Sequence, residues 1–384
     1  MDYFLNENQR TLKELAHRIA EEKVRPVRAQ LDVSEEFPWE IIRELAASDL
    51  FRIFVPEAYD GLGGGCLDLC LVVEELSRVC SGVAVSYAAS ALGSFGLVLF
   101  GSDDQKQKYL PDIAAGKKLA AFALTEPSAG SDAGNIQTTA EKTADGYVLN
   151  GTKQFITNGG EAEVYTVICL TDRSRGPRGA SAILVDKGTP GFTFGKKEKK
   201  LGIRTSATRE LVFRDCHVPE SNRLGREGAG FIITMKILDT SRPGIAAQAL
   251  GVAQGAYEAA LEYAKQRVQF GHPIVAIPAV QQKLAEMALQ VEAARALTYS
   301  VARAIDGGQK DAGAEAAMAK VFASDVAMKV AVDAIQVFGG AGYMRDYPVE
   351  KMLRDAKITQ IYEGANEVLR GAIALELRKR KFPA

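Results

Sequence analysis

Among the residues of this sequence that can do chemistry, Glu363 is one carboxylate whose neighbours could suit it to moving a proton. It stands between Tyr362 and Gly364, in an apolar-flanked turn ahead of another helical run. A carboxylate in such surroundings loses solvent, its pKa rises, and it can act as a general base. Read alone, the placement better suits an acid that starts a helix and answers its dipole. A second stretch, ALTEPSAGSD at 123–132, gathers hydroxyls, carboxylates and a glycine. It offers backbone N–H groups and hydroxyls to a polar planar ligand or a phosphate, although on residue types alone such a stretch is more often a plain turn. In a third, NGTKQFITNG at 150–159, Phe155 and Thr157 are two apart. In a strand they share one face, presenting a ring and a hydroxyl either to a planar ligand or to the core. Gly339 and Gly340 follow a long helical run and permit close backbone approach to a ligand.

Three kinds of texture must position these residues. From 1 to 119 the pattern is helical: Leu12, Leu15, Ile19 and Val24 recur near a 3.6-residue spacing. Pro38, Pro56 and the glycine-rich run 61–65 punctuate it, and Gly101-Ser102-Asp103-Asp104-Gln105 reads as a turn into a helix start. From 120 to 232 short β-branched and aromatic runs alternate with Gly, Asn, Asp and Thr, as at 146–149, 164–170, 182–185 and 210–213. Asp145-Gly146 and Asn150-Gly151 are turn dipeptides, so this part reads as an antiparallel sheet or barrel. From 233 to 384 the helical pattern returns, rich in Ala, Leu, Glu and Lys, with no proline over 279–338. The expected fold class is mostly α with a middle β domain, and the expected domains are 1–119, 120–232 and 233–384.

A net charge of −1 argues against a nucleic-acid partner, which calls for a basic face. Lys196-Lys197-Glu198-Lys199-Lys200 is the densest basic run and reads as a solvated loop. No run of about 18 apolar residues is read in the sequence, so no membrane span is expected. The start of the chain has neither a signal core nor a transit composition, which predicts a cytoplasmic protein, or a mitochondrial matrix one in processed form. Five scattered cysteines and three scattered histidines suggest no disulfide framework and no metal site.

Taken together, the stretches at 123–132 and 150–159 resemble the acyl-CoA dehydrogenase family. So do LDTSRPGIAAQALGVAQGA at 238–256 and RVQFGHPI at 267–274. QVFGGAGYMRDYPVEKMLRDAKI at 336–358 and IYEGANEVLR at 361–370 complete the set. Order, spacing and chain length all match. The resemblance implies an N-terminal helical domain, a middle β domain and a C-terminal four-helix bundle, usually in a homotetramer. It also implies an FAD cofactor, an acyl-CoA substrate and electron-transferring flavoprotein as the acceptor.

By that resemblance Glu363 is the catalytic base. Phe122, Leu124, Thr125 and Ser131 match positions lining the flavin, with Ser131 reaching toward ribityl or phosphate groups, and Phe155 and Thr157 match the strand covering the ring edge. Arg267 and Phe270 match residues that reach FAD across a subunit interface, and Gln336, Gly339 and Gly340 match the turn holding its adenosine half. Ala365 and Glu367 also fall at cofactor positions. Ser131, Asp239, Arg242 and Gly364 match the acyl-CoA side. Two residues depart from the pattern: Ala365 stands where a threonine is usual, and Pro278 where many relatives carry glutamine. In some branches the base lies just before the arginine at 242; that position is Ser241 here, which cannot serve as one. The resemblance is strongest to the short-chain, butyryl-CoA branch. Residues 82–90 carry no positive charge, which disfavours a dicarboxylate, while small Ala84, Ala88 and Ala91 would leave room for a branched or alicyclic acyl group. An oxidase or monooxygenase on the same fold, or a non-enzymatic FAD- or acyl-CoA-binding protein, are the other classes weighed.

Overall fold

The computed structural model describes residues 3–309 and 311–379. Residues 1–2, 310 and 380–384 of the sequence-derived segments lie outside the described residues. The chain opens with helices α1 (Glu7–Ile19), α2 (Arg28–Ser34), α3 (Trp39–Ala47), α4 (Cys66–Phe100) and α5 (Asp103–Ala114). Asn6 starts α1 and Ser102 starts α5, each in a reciprocal capping box with a glutamine three residues on. The five-residue step from Ile19 to Val24 is met by a π-helical turn over Ala20–Val24, which keeps both side chains buried.

Helix α4 corrects one expectation. By length and composition it could cross a bilayer, with a mean hydropathy of 1.8 over its best window, since its small polar residues interrupt a strict apolar run without adding charge. Most of that window is buried inside the protein. A helix apolar on every face must be covered on every face. Helix α6 and strand β1 supply much of that cover.

The middle strands are β1 (Ala120–Ala123), β2 (Thr139–Lys142), β3 (Gly146–Thr157), β4 (Val164–Leu170), β5 (Ala180–Asp186), β6 (Phe192–Lys197), β7 (Thr208–Pro219) and β8 (Arg223–Leu224). They form one eight-stranded sheet in the order β6-β7-β3-β2-β4-β5-β8, with β1 pairing β4. It is mixed, not antiparallel as expected, because β1 and β2 run parallel to β4. Asp145-Gly146 does turn the chain from β2 into β3, with the Thr143 amide bonding Gly146 O. Asn150-Gly151 does not turn; it lies inside β3, where the register against β7 slips. Gly151 is needed there, since at its φ of 145° a Cβ would sit 2.6 Å from Thr138 Oγ1. The basic run is only partly solvated: Lys197 ends β6, and the Lys200 ammonium bonds Ser206 O at 2.5 Å.

Helices α6 (Gly230–Gln266), α7 (Pro278–Asp306), α8 (Gly313–Phe338), α9 (Val349–Ile358) and α10 (Asn366–Leu377) complete the fold. A short hairpin, β9 (Val268–Gln269) with β10 (His272–Pro273), leaves the end of α6. Pro278 opens α7 at its first turn, where its missing amide costs no helical bond.

Candidate active site

Glu363 sits in the turn between α9 and α10, closed by the Asn366 amide bonding Gln360 O at 3.0 Å. Its φ of 52° and the 103° of Gly364 put two successive residues in left-handed conformation. Such geometry in a non-glycine residue persists only where the surroundings impose it. Here Lys320 of α8, fully buried, holds the turn from behind, donating to Gly364 O at 2.7 Å and to Asn366 Oδ1 at 2.9 Å. Burial pushes the Lys320 ammonium down to about 8, against the pull of Glu363. Tyr362 is fixed through its hydroxyl on Gln248 Oε1, and Gln248 in turn bonds Ser81 Oγ.

The Glu363 carboxyl meets α6. Ser241 Oγ donates to Glu363 Oε2 at 2.6 Å. Arg242 Nε donates to Glu363 O at 3.4 Å, and Arg242 also pairs with Asp239 at 2.7 Å. Burial pushes the Glu363 carboxyl above its ordinary range, and the hydrogen bond from Ser241 with the charges of Arg242 and Lys320 only partly offsets this.

Glu363 lines a cleft of about 610 Å³. Phe122, Leu124, Thr125, Ser131, Phe155 and Thr157 line the same cleft, as do Arg242 and Gly364. The loop after β1 is held by an ion pair that sequence reasoning missed. Lys153 of β3 is fully buried, with Nζ 2.7 Å from Glu126 Oε1 and 2.9 Å from Leu124 O. Burial alone would raise the Glu126 carboxyl, yet Lys153 and the amides of Gln137 and Thr138 hold it below its usual range. Both residues lie in the quoted motifs; a lysine alternating with Phe155 and Leu149 in one strand was the available signal. Phe155 and Thr157 do not share a face by simple alternation. A register shift between Lys153 and Ile156, with Phe155 at φ 59°, turns the Phe155 ring outward, and Ile156 lines the cleft too.

The remaining expected residues are elsewhere. Arg267 caps the end of α6, and Phe270, at 90% exposure, is the tip of the β9–β10 hairpin. Gln336, Gly339 and Gly340 lie exposed at the end of α8. Glu367 is exposed in the first turn of α10 and Ala365 is its N-cap. Asp239 borders a separate groove of about 390 Å³. Of the three small alanines, only Ala88 lines the cleft; Ala84 and Ala91 are packed in the core, because α4 shows the cleft one face only. Leu69, Val85, Leu92 and Phe95 of α4 also line it. The charged lining residues are Asp132, Arg242 and Glu363.

The Glu363 carboxyl is half-buried in the wall of an apolar cleft, and the fold around it is one that known proteins share. Residues 6–117 match the model of the acyl-CoA dehydrogenase N-terminal domain, 121–216 the middle domain and 228–377 the C-terminal domain. The chain belongs to the acyl-CoA dehydrogenase family, whose members are FAD-dependent oxidoreductases. Among its relatives is the "Acyl-CoA dehydrogenase, short-chain specific" of Megasphaera elsdenii, 48% identical over 373 residues, or 96% of this chain and 97% of the relative. The solved butyryl-CoA dehydrogenase of Megasphaera elsdenii superposes with a TM-score of 0.96 at 47% identity, covering 98% of this chain and 100% of that one. A chain from the solved structure "Electron transferring flavoprotein of Acidaminococcus fermentans: Towards a mechanism of flavin-based electron bifurcation" superposes with a TM-score of 0.97 at 48% identity, covering 99% and 100%.

Proposed function

We propose that this protein oxidises a short, uncharged acyl-CoA to its 2-enoyl-CoA, with FAD as cofactor and electron-transferring flavoprotein as the electron acceptor. The observation that carries this reading is the Glu363 carboxyl, made more basic by burial and standing in the wall of an apolar cleft. The residues present suit a flavin. Thr125, Ser131 and Thr157 bring hydroxyls, Phe122, Leu124 and Phe155 bring apolar and aromatic surface, and Gly130 has nothing within 4 Å of its would-be Cβ.

FAD, when bound, supplies the hydride acceptor for the substrate's β-hydrogen. The chain's own work is the rest. Glu363 takes the α-hydrogen as a proton, and its raised pKa brings its proton affinity closer to that task. The Glu363 amide and the Arg242 side chain offer donors near the thioester. The apolar side chains of α4 receive the acyl tail and exclude water, which strengthens every charge interaction in the cleft. Their bulk favours a short tail, and among the described lining residues the one cation, Arg242, is paired with Asp239, which disfavours a dicarboxylate. Arg267, Phe270, Gln336, Gly339 and Gly340 complete the cofactor site between copies of the chain in a homotetramer.

Anaerobic addition of acyl-CoA to the FAD-loaded protein tests this. Butyryl-CoA is expected to bleach the visible flavin band faster than octanoyl-, isobutyryl- or cyclohexanecarboxyl-CoA. A clear preference for octanoyl-CoA overturns the short-chain assignment, and rapid oxygen use without the flavoprotein acceptor overturns the dehydrogenase one.

A further inference from the structure

Ser241 occupies a position that sequence reasoning set aside, because a hydroxyl is no base. The structure gives it another task. Its Oγ lies 2.6 Å from Glu363 Oε2 and 3.2 Å from Leu238 O. A serine hydroxyl has one hydrogen, so it cannot donate to both at once. The shorter contact, to the carboxyl oxygen, is the stronger. Ser241 is buried in α6, so its side chain has little freedom to leave. Glu363 Oε2 is therefore engaged, while no described residue donates to Oε1. The other groups facing this carboxyl and its turn are Arg242 with Asp239 on α6, Lys320 on α8, and Tyr362 beside it. Arg242 and Lys320 bond the turn's carbonyl oxygens, not the carboxylate. Of the hydrogen-bonding partners, Ser241 alone reaches the carboxylate itself.

We propose that Ser241 is a positioning residue for proton abstraction: by donating to Oε2 it fixes the Glu363 rotamer, leaves Oε1 as the oxygen that takes the substrate's α-proton, and sets how basic that oxygen is. Ser241 keeps its own hydrogen throughout, and the proton gained by Glu363 comes from the substrate α-carbon. The inference rests on the reading of Glu363 as the base.

A donor to a carboxylate lowers its pKa. Removing Ser241 Oγ lets burial act with less opposition, so the base titrates higher. The test follows anaerobic flavin reduction by butyryl-CoA against pH in the FAD-loaded wild type, Ser241→Ala and Ser241→Thr. In Ser241→Ala the acid limb is expected to move up by about one pH unit, with reduction slowed on the order of tenfold below it and KM changed far less. Ser241→Thr, which keeps the hydroxyl, is expected to restore the wild-type limb. Superimposable wild-type and Ser241→Ala profiles overturn the proposal, as does a Ser241→Thr limb displaced like that of Ser241→Ala. A wild type that is reduced normally while Ser241→Ala shows no shift leaves the base assignment standing and removes only Ser241. A wild type that no acyl-CoA reduces removes both.

Discussion

The Glu363 turn is gripped by its own chain, with Ser241 on the carboxylate, Arg242 on one carbonyl and Lys320 on the next. The Phe270 hairpin and the Gly339–Gly340 turn touch little: Phe270 is 90% exposed, and no atom lies within 4 Å of a Cβ built on either glycine. Both regions lie in stretches that resemble the family's motifs, yet only the first is closed by contacts among the described residues. The difference separates two tasks. Proton abstraction needs fixed geometry and exclusion of water, and a monomer's core can supply both. Holding a long cofactor, the task proposed for the open region, needs reach, which exposed elements would gain when another surface comes to them.

The sharpest way to test the closed region is Glu363→Gln. Loss of a general base is expected to slow flavin reduction by about 10³-fold or more, read by anaerobic stopped flow, with acyl-CoA binding kept within a few-fold. Stability should move the other way. The folded pKa of Glu363 lies above its unfolded value. Below the unfolded value both states are protonated and burial carries no penalty. As pH rises above the unfolded value the cost of the charged form in the fold grows, reaching its full size only above the folded value, so part or all of it is present at neutral pH. Glu363→Gln is therefore expected to raise the unfolding midpoint at pH 7 and to leave it unchanged near pH 4. An unchanged midpoint at pH 7 would place the carboxylate in water.

Lys153→Met tests whether the loop of Leu124 and Thr125 depends on the core. It leaves the Glu126 charge buried and unpaired, which costs about 3–5 kcal/mol. Denaturant unfolding should show that loss, together with weaker FAD retention as the loop loosens. Full stability would mean that Glu126 simply takes up a proton.

Phe270→Ala addresses the open region. A side chain this exposed contributes little within one chain, so the stability of the protomer should change by no more than about 0.5 kcal/mol. If the ring is buried against a second copy and its cofactor, FAD affinity should fall on the order of tenfold. Equilibrium dialysis beside sedimentation reads both. Unaltered FAD affinity would remove the hairpin from the cofactor site.

What could be read in advance follows the same division. The long helices and the strands announced themselves through period and composition, whereas Glu363 stood out only once the six stretches together resembled the family, since its apolar flanks alone favoured a helix-start acid. The bulge at Phe155 and the slip at Gly151 escaped, because a register is set by the partner strand, and that partner, β7, lies more than fifty residues away. The Glu126–Lys153 pair and the Lys320 support escaped because a lysine is presumed solvated until folding surrounds it. Ser241 was judged by what a serine cannot do; its use depends on a neighbour 122 positions along the chain.

Ala365 is where the two regions meet, and it gives the smallest expected effect. It is the N-cap of α10, with φ −55° and ψ 142°, and no side chain satisfies the amides of the first turn. A threonine there can accept from the amide of Glu367 or Val368, a contact typically contributing about 1 kcal/mol. Ala365→Thr, which introduces the hydroxyl that the family resemblance leads one to expect there, is expected to raise stability by about that amount, with FAD affinity altered less than twofold. That outcome gives the hydroxyl a task inside one chain. Tighter FAD binding with no gain in stability would instead assign it to the cofactor, and the boundary between the self-contained and the open region would then run through the turn that carries Glu363.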